Sequence, residues 1–346
     1  MRTRGRIPFT VCIWTIMEDM CFLRWRGYIF ASDGRAPRLW DILYLDRRKT
    51  MGRIYKPDDP QAVAYLFAGW QETMIESCLQ GIMGEIYVSE PMSQESHPDN
   101  SQADDSVPVS GVRPRSAMAM LGDFCFLAGE PDGELAAFKP EDRDRDFRIM
   151  VPRDSFPDLP GEPMNPQEVA GRTWEDTIRR IYGGKVRKVT RYAIKKEPEV
   201  WDLGRLRAAV EALSPEYELR LIDKELYLQC KENEWSRDLV AQFGDYEQYQ
   251  KWGLGVVILR GHEIVSGASS YSAYRGGIEI EIDTREDHRR KGLAYVCGAR
   301  LILECCARKL YPSWDAQNLW SVALAEKLGY HFDHAYSAYC IYAKKD

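Results

Sequence analysis

Three strand-like runs follow one another at Gly255–Leu259, Glu263–Tyr271 and Ile278–Asp283, and a helix from about Lys291 to Lys309 comes straight after them. Short turns such as Arg260-Gly-His and Arg275-Gly-Gly join the strands. The last strand enters the helix through Asp283-Thr-Arg-Glu-Asp-His-Arg-Arg-Lys-Gly-Leu-Ala294. Gly292 and Ala294 are small, so a ligand can come close to the backbone there. The amides of Arg290, Lys291, Gly292, Leu293 and Ala294 are expected to point outward at a helix start, where the helix dipole favours an anion. Arg289, Arg290 and Lys291 add positive charge, and together these features read as a pyrophosphate cradle. The stretch is neither a Walker loop nor G-x-G-x-x-G, and the competing reading is a solvated basic turn.

The rest of the chain alternates in the same α/β manner. Before the three strands come a helix over Leu206–Leu213, a strand over Tyr217–Ile222 and one or two helices in 224–242. After the Lys291–Lys309 helix come a short strand near Trp314, a helix over about 318–328 ended by Gly329, and two closing strand-like runs rich in Tyr. Cys297, Leu301 and Cys305 repeat every four residues and read as helix core. Further upstream, a helix is expected from Asp58, with Pro60 in its first turn and an apolar stripe from Ala64 to Cys78. Strands follow at Glu85–Glu90, Asp123–Ala128, Phe147–Val151 and Val186–Lys195, with a helix over Pro166–Tyr182. The segment 91–115 has almost no large apolar residues and reads as a flexible loop. Three divisions result: residues 1–50, an N-terminal α/β domain over 52–200, and a domain over 205–346.

Residues 1–50 differ from the remainder. Ten Lys and Arg against five Asp and Glu give them +5, in a chain whose net charge is −6. The apolar run Ile7–Met17 is short of the ~20 residues a spanning helix needs, and Glu18 and Asp19 end it without a cleavage site. The segment reads either as an extension with no fold of its own or as lying upstream of the native start, since Met51 opens a more ordinary domain beginning. The acidic balance gives no global attraction to nucleic acid or anionic lipid. Nine cysteines with no C-x-x-C pair read as reduced core thiols of a cytoplasmic protein without a metal site.

Arg289-Arg-Lys-Gly292-Leu-Ala294 fits the pattern [RQ]-x-x-G-x-[GA] after a strand, and Asn318-Leu-Trp-Ser321 leads into Leu324-Ala-Glu-Lys-Leu-Gly-Tyr330. On these two motifs, in this order, the chain resembles the GCN5-related N-acetyltransferase (GNAT) superfamily over about 205–346. Phe67-Ala-Gly-Trp-Gln-Glu-Thr-Met-Ile-Glu-Ser-Cys-Leu-Gln-Gly81, Gly122-Asp-Phe-Cys-Phe-Leu-Ala-Gly129, Thr190-Arg-Tyr-Ala-Ile194 and Trp314-Asp-Ala-Gln-Asn318 look like the GNAT subfamily that includes zwittermicin A resistance proteins. The resemblance implies a mixed, mostly antiparallel central sheet with flanking helices, beside the N-terminal α/β domain. It implies acetyl-CoA as co-substrate and a small-molecule amine as acceptor, an antibiotic among the candidates. The runner-up is an acyl-CoA-binding or regulatory protein without turnover. The pantetheine arm is expected along the fourth strand, here Ile278–Asp283, splayed from a fifth near Trp314. Ile282, Asp283, Thr284 and Asn318 are expected to join the turn residues Arg289–Ala294 in binding the cofactor.

Acetyl transfer needs a base for the amine and, in many cases, an acid for the thiolate. Many GNAT enzymes carry a Tyr where this chain has Ala325. The resemblance offers Ser321 as the proton donor instead, the competing reading being a helix-start hydrogen-bonder. Glu279, Glu281 and Asp283 alternate along one strand and share a face. Glu279 or Glu281 is the expected base, against the plainer reading of a partly exposed strand. His288 reads as decoration of the turn. Tyr336, Tyr339 and Tyr342 either line the acceptor pocket or reflect strand propensity.

Overall fold

The computed structural model describes residues 54–89, 113–141, 143, 147–153 and 173–342. The expectations for residues 1–50, for most of the 91–115 loop and for the helix before Thr173 fall outside the described residues. Gly52–Asp346 forms one compact unit. Its strands make two sheets.

The first sheet has eight strands: β1 (Ile54–Tyr55), β2 (Glu85–Ser89), β3 (Ser116–Leu121), β4 (Phe124–Gly129), β5 (Arg148–Pro152), β6 (Val186–Ile194), β12 (Asp315–Ala316) and β13 (Phe332–Ile341). Their order is β1-β2-β3-β4-β5-β13-β6-β12, and only β4 and β5 run parallel. The second sheet takes β7 (Glu218–Leu221), β8 (Gly255–Arg260), β9 (Glu263–Tyr274), β10 (Gly277–Thr284) and β11 (Tyr311–Ser313), in the order β11-β10-β9-β8-β7. There β10 and β11 run parallel and every other pair is antiparallel. Turns of two residues fix the two hairpins joining β8, β9 and β10, because so short a link allows no crossover. The two closing strand runs expected from sequence are one strand, β13, which spans β5 and β6 and crosses an irregularity between Phe332 and Ala335.

Eight α-helices are described: α1 (Thr73–Leu79), α2 (Gly133–Ala137), α3 (Trp174–Tyr182), α4 (Leu203–Glu211), α5 (Lys224–Glu232), α6 (Tyr246–Trp252), α7 (Leu293–Ala307) and α8 (Leu319–Leu328). The strands β1 and β3 and the helices α2 and α6 carry no counterpart in the sequence reading. The long helix expected from Asp58 is two segments. Pro60–Phe67 is a 3-10 helix capped by the Asp59 carboxylate, which accepts from the Gln61 amide at 3.0 Å. Gly69, at φ +77°, then turns the chain before α1. A left-handed residue cannot continue a right-handed helix, so the apolar stripe is shared between two segments.

The stripe Cys297, Leu301 and Cys305 on α7 is fully buried, packed with Ile258, Ile278 and Ile280 of the second sheet. The opposite face of that sheet meets α1. Ser77 Oγ donates to the Ala273 carbonyl at 2.6 Å, and the Arg275 amide donates to Gln80 Oε1 at 2.8 Å. These bonds tie the N-terminal stretch to the face of β9 and β10 that α7 leaves uncovered.

Candidate active site

The strand β10 pairs with β11 only through Gly277, Ile278 and Glu279. Beyond Ser313 the chain leaves β11, and Asp315 and Ala316 pair instead with Ala193 and Tyr192 of the other sheet. Trp314 anchors this departure. It is buried, its ring packs against Tyr330 at 5.5 Å, and Lys196 Nζ donates to the Ser313 hydroxyl at 2.7 Å and the Trp314 carbonyl at 3.1 Å. Among the described residues, the rest of β10, from Ile280 to Thr284, therefore has no strand on its outer edge. Its pairing with β9 also shifts between Glu279 and Ile280, leaving Tyr271 as the extra residue of a bulge.

At the end of β10 stands the basic turn. Gly292 sits at φ +81° and caps α7 with no side-chain bond. A Cβ built on Gly292 would meet nothing within 4 Å, so the backbone lies open on that side. Among the described residues, the amides of Arg290 through Ala294 have no acceptor in the chain. Arg290 is also left-handed, at φ +62°, a conformation a bulky residue adopts only when its surroundings hold it. The Arg290 and Lys291 side chains are exposed and unpaired among the described residues, whereas Arg289 turns back and donates from Nε to the Thr284 carbonyl at 3.0 Å. An open backbone, unsatisfied amides and two uncommitted cations fit a pyrophosphate. Asp283 is occupied locally, its carboxylate accepting from the Thr284 amide at 2.6 Å. The Thr284 hydroxyl is bonded to Ser266 at 2.7 Å. Ile282 is half-buried and packs toward the α7 core. His288 is not decoration: it is 3% exposed, with Nδ1 at 2.9 Å from Asp287 and its ring edge-on to Tyr217. The basic residues around it masked this burial in the sequence.

Glu279, Glu281 and Asp283 point away from the α7 core. Glu279 is 3% exposed; Thr73 of α1 donates its hydroxyl to Oε2 at 2.5 Å, and Oε1 is buried without a partner. Glu281 is half-buried. Burial, then repulsion from Asp238 and Asp283, push its carboxyl up to about 8, against the pull of Arg191. A carboxylate so placed is a stronger base than one in water.

Arg191 is the centre that sequence reasoning missed. It lies on β6, 9% exposed, over the Phe124 ring at 4.9 Å. Its Nε and guanidinium tip reach Asp315 Oδ1 at 2.7 and 2.6 Å, and the Tyr336 hydroxyl donates to Asp315 Oδ2 at 2.8 Å. Burial works against the Arg191 cation, but Asp315 and Tyr336 outweigh it and hold it charged. Glu72, at the start of α1, completes the group: burial and then Asp315 raise its carboxyl, opposed by Lys196 and Arg191. In the sequence, only family likeness ties the strand run Thr190–Ile194, the segment Trp314–Asn318 and the segment Phe67–Gly81 to function. The structure brings one charged residue from each together. Of the three tyrosines, Tyr336 lines this region, Tyr339 is core, and Tyr342 packs on Phe147 near the surface.

At the start of α8, Asn318 Oδ1 accepts from the Ser321 amide at 3.0 Å, a helix cap. Ser321 Oγ accepts from the Trp314 indole at 3.0 Å, so its own proton is free to be donated elsewhere. Ala325 is buried.

Among the described residues no helix is long and apolar enough to cross a membrane, and all seven described cysteines are free.

A family model described as GNAT acetyltransferase matches residues 168–339. The crystal structure of a GCN5-related N-acetyltransferase-like protein from Streptococcus suis 89/1591 is 45% identical, covers 82% of this chain and 98% of its own, and superposes with a TM-score of 0.65. The uncharacterized N-acetyltransferase YdfB of Bacillus subtilis (strain 168) is 28% identical over 192 residues, 49% of this chain and 73% of that protein. With its mostly antiparallel sheets, its strand departure at Trp314 and its open strand-to-helix turn, the chain belongs to the GNAT family and is an N-acetyltransferase.

Proposed function

We propose that this enzyme uses acetyl-CoA to acetylate a primary amine of a small molecule. One observation carries the reading: the uncapped, open turn at Arg290–Ala294 stands at the end of the same strand whose other residues present Glu279 and Glu281. Arg289, Arg290, Lys291 and the amides through Ala294 would hold the pyrophosphate. Ile282, Asp283 and Thr284, on the unpaired edge of β10, would flank the pantetheine arm, with Asn318 across from them. Acetyl-CoA supplies an acetyl thioester there, and the remaining work falls to the chain.

An amine attacks only after losing its extra proton. Glu281 is the base this reading favours, because burial and like charges push its carboxyl up to about 8, near a working pH. Glu279, held by Thr73, is the second candidate and shapes the same face. The amine nitrogen bonds to the acetyl carbon, the C–S bond breaks, and the thiolate takes a proton from Ser321 or from water. The likeness to the subfamily with zwittermicin A resistance proteins supports a small-molecule acceptor, an antibiotic among the candidates. The free thiols fit a cytoplasmic enzyme.

Release of CoA, measured with a panel of primary amines beside direct binding of acetyl-CoA, tests the proposal. Binding and turnover are expected together. Binding with no turnover on any amine would make the chain a non-catalytic acyl-CoA-binding protein, and no binding would remove the cofactor site.

A further inference from the structure

A cleft of about 410 Å³ opens beside the Arg191–Asp315 pair. That volume lies in the ~300–1,000 Å³ range of small-molecule sites. Trp70, Glu72, Arg153, Lys196, Asp315 and Tyr336 are among its lining residues. Two of its polar atoms are buried with no hydrogen-bond partner among the described residues: the indole Nε1 of Trp70, a donor, and Oε2 of Glu72, an acceptor. Buried polar groups are ordinarily paired, so each orphan calls for a specific explanation.

The other charged groups cannot satisfy Glu72. Asp315 spends one oxygen on Arg191 and the other on Tyr336. Lys196 is committed to Ser313 and Trp314, and Arg153 lies over the Trp70 ring at 5.7 Å. Glu279, whose own Oε1 has no partner, adds a further negative charge nearby. Glu72 is thus an acidic group among carboxylates, its carboxyl raised by burial and Asp315, with one oxygen unclaimed among the described residues. Among the described residues no cation reaches that oxygen, so a cation that would hold Glu72 ionised is sought in a bound molecule. A divalent metal would need several free carboxylate oxygens, and Asp315 has none to give. An ammonium group needs one or two acceptors and suits aromatic walls such as Trp70 and Tyr336. The orphan indole N–H beside it asks for an oxygen on the same molecule.

We propose that this cleft is the acceptor subsite, that Glu72 receives the substrate ammonium, and that the Trp70 indole donates to a neighbouring hydroxyl or carbonyl oxygen of the same substrate. The substrate class is a small amine bearing an oxygen close to its nitrogen. The assignment rests on the acetyl-transfer reading and locates the acceptor at one end of the gap that opens where β11 leaves β10, since Asp315 borders both. The N-terminal stretch thereby supplies half of the acceptor site.

Two isosteric pairs of probes test it: ethanolamine against propylamine, and 2-aminocyclohexanol against 2-methylcyclohexylamine. Each pair differs chiefly in its oxygens. Steady-state acetylation and calorimetric binding are measured on the full chain, with acetyl-CoA affinity recorded separately. Wild type should prefer the oxygen-bearing member of each pair. Glu72→Gln keeps the shape and removes the charge, and should raise the amine KM about ten- to a hundredfold with acetyl-CoA affinity unchanged. Trp70→Phe should erase the preference within each pair. Ala193→Leu, which narrows the cleft from β6, should weaken every amine and is the check should Glu72→Gln fold poorly. Unchanged amine KM in Glu72→Gln and Ala193→Leu overturns the site. Wild type that binds acetyl-CoA but none of the four probes overturns the substrate class while leaving the cofactor reading standing. Loss of acetyl-CoA binding in wild type itself would strike the acetyl-transfer reading instead.

Discussion

Replacing Glu281 by Gln should separate the cost of a buried carboxylate from its use. Its carboxyl is pushed from the ordinary 4.5 up to about 8 by burial and by Asp238 and Asp283. Between those two values the folded chain keeps a proton that the unfolded chain gives up. The stabilising contribution of the protonated form is therefore complete below 4.5 and is lost as pH rises through 8. One pKa unit corresponds to about 1.4 kcal/mol, so the loss is up to about 3 kcal/mol near pH 7 and approaches about 5 kcal/mol near pH 9. Glutamine has the same shape and never ionises. Urea unfolding at about pH 4.5, 7 and 9 should find the two proteins equal in acid and Glu281→Gln progressively more stable in base. Because wild-type Glu281 ionises only as the pH approaches 8, the same variant should fall furthest below wild type near pH 8 and recover at higher pH as the amine deprotonates unaided, whereas Glu279→Gln should not. A constant offset between wild type and Glu281→Gln across the pH range would refute the placement of an uncharged Glu281 among carboxylates. If neither variant recovers activity at high pH, the base is a water chain or another residue.

Gly292→Val would put a branched side chain where the backbone is open and φ is +81°. Acetyl-CoA affinity by calorimetry should fall at least tenfold while circular dichroism stays native; unchanged affinity would take the pyrophosphate away from this turn. Ser321→Ala should lower kcat only about ten- to a hundredfold, because a free thiol has a pKa near ~8.5 and leaves without much help; a larger fall would make the hydroxyl indispensable. Asp315→Asn strands the buried Arg191 cation and should cost about 3–5 kcal/mol in urea unfolding, while replacing both partners by apolar residues should cost less. Gly52–Asp346 makes one compact unit, so a chain starting at Met51 should keep its melting temperature and acetyl-CoA affinity; aggregation of that chain would mean residues 1–50 belong to the body.

The sequence by itself determined what depends on near neighbours. The period of two along Ile278–Asp283, the four-residue repeat of Cys297, Leu301 and Cys305, and the glycine before α7 are local signals, and each element formed close to where they put it. The basic turn was legible for the same reason: one strand end, one glycine and one helix start lie within a dozen residues. Where local signals conflicted, the reading slipped. An unbroken apolar stripe hid the turn at Gly69, and a shell of charged residues hid the burial of His288.

Only the tertiary structure decided which charges meet. Glu72, Arg191 and Asp315 sit on three segments with no common period and no shared motif. Their convergence follows from one event, the departure of the chain at Trp314 from the second sheet to the first, which carries Asp315 to the edge of β6 and so to Arg191. The same event leaves the outer edge of β10, away from β9, without a described strand beyond Glu279 and opens the gap beside the carboxylates. Hydrophobic pattern records which face of a strand is buried but not which strand lies next to it. The partner that gives a charged residue its chemistry is therefore fixed by sheet order, a property of the whole chain.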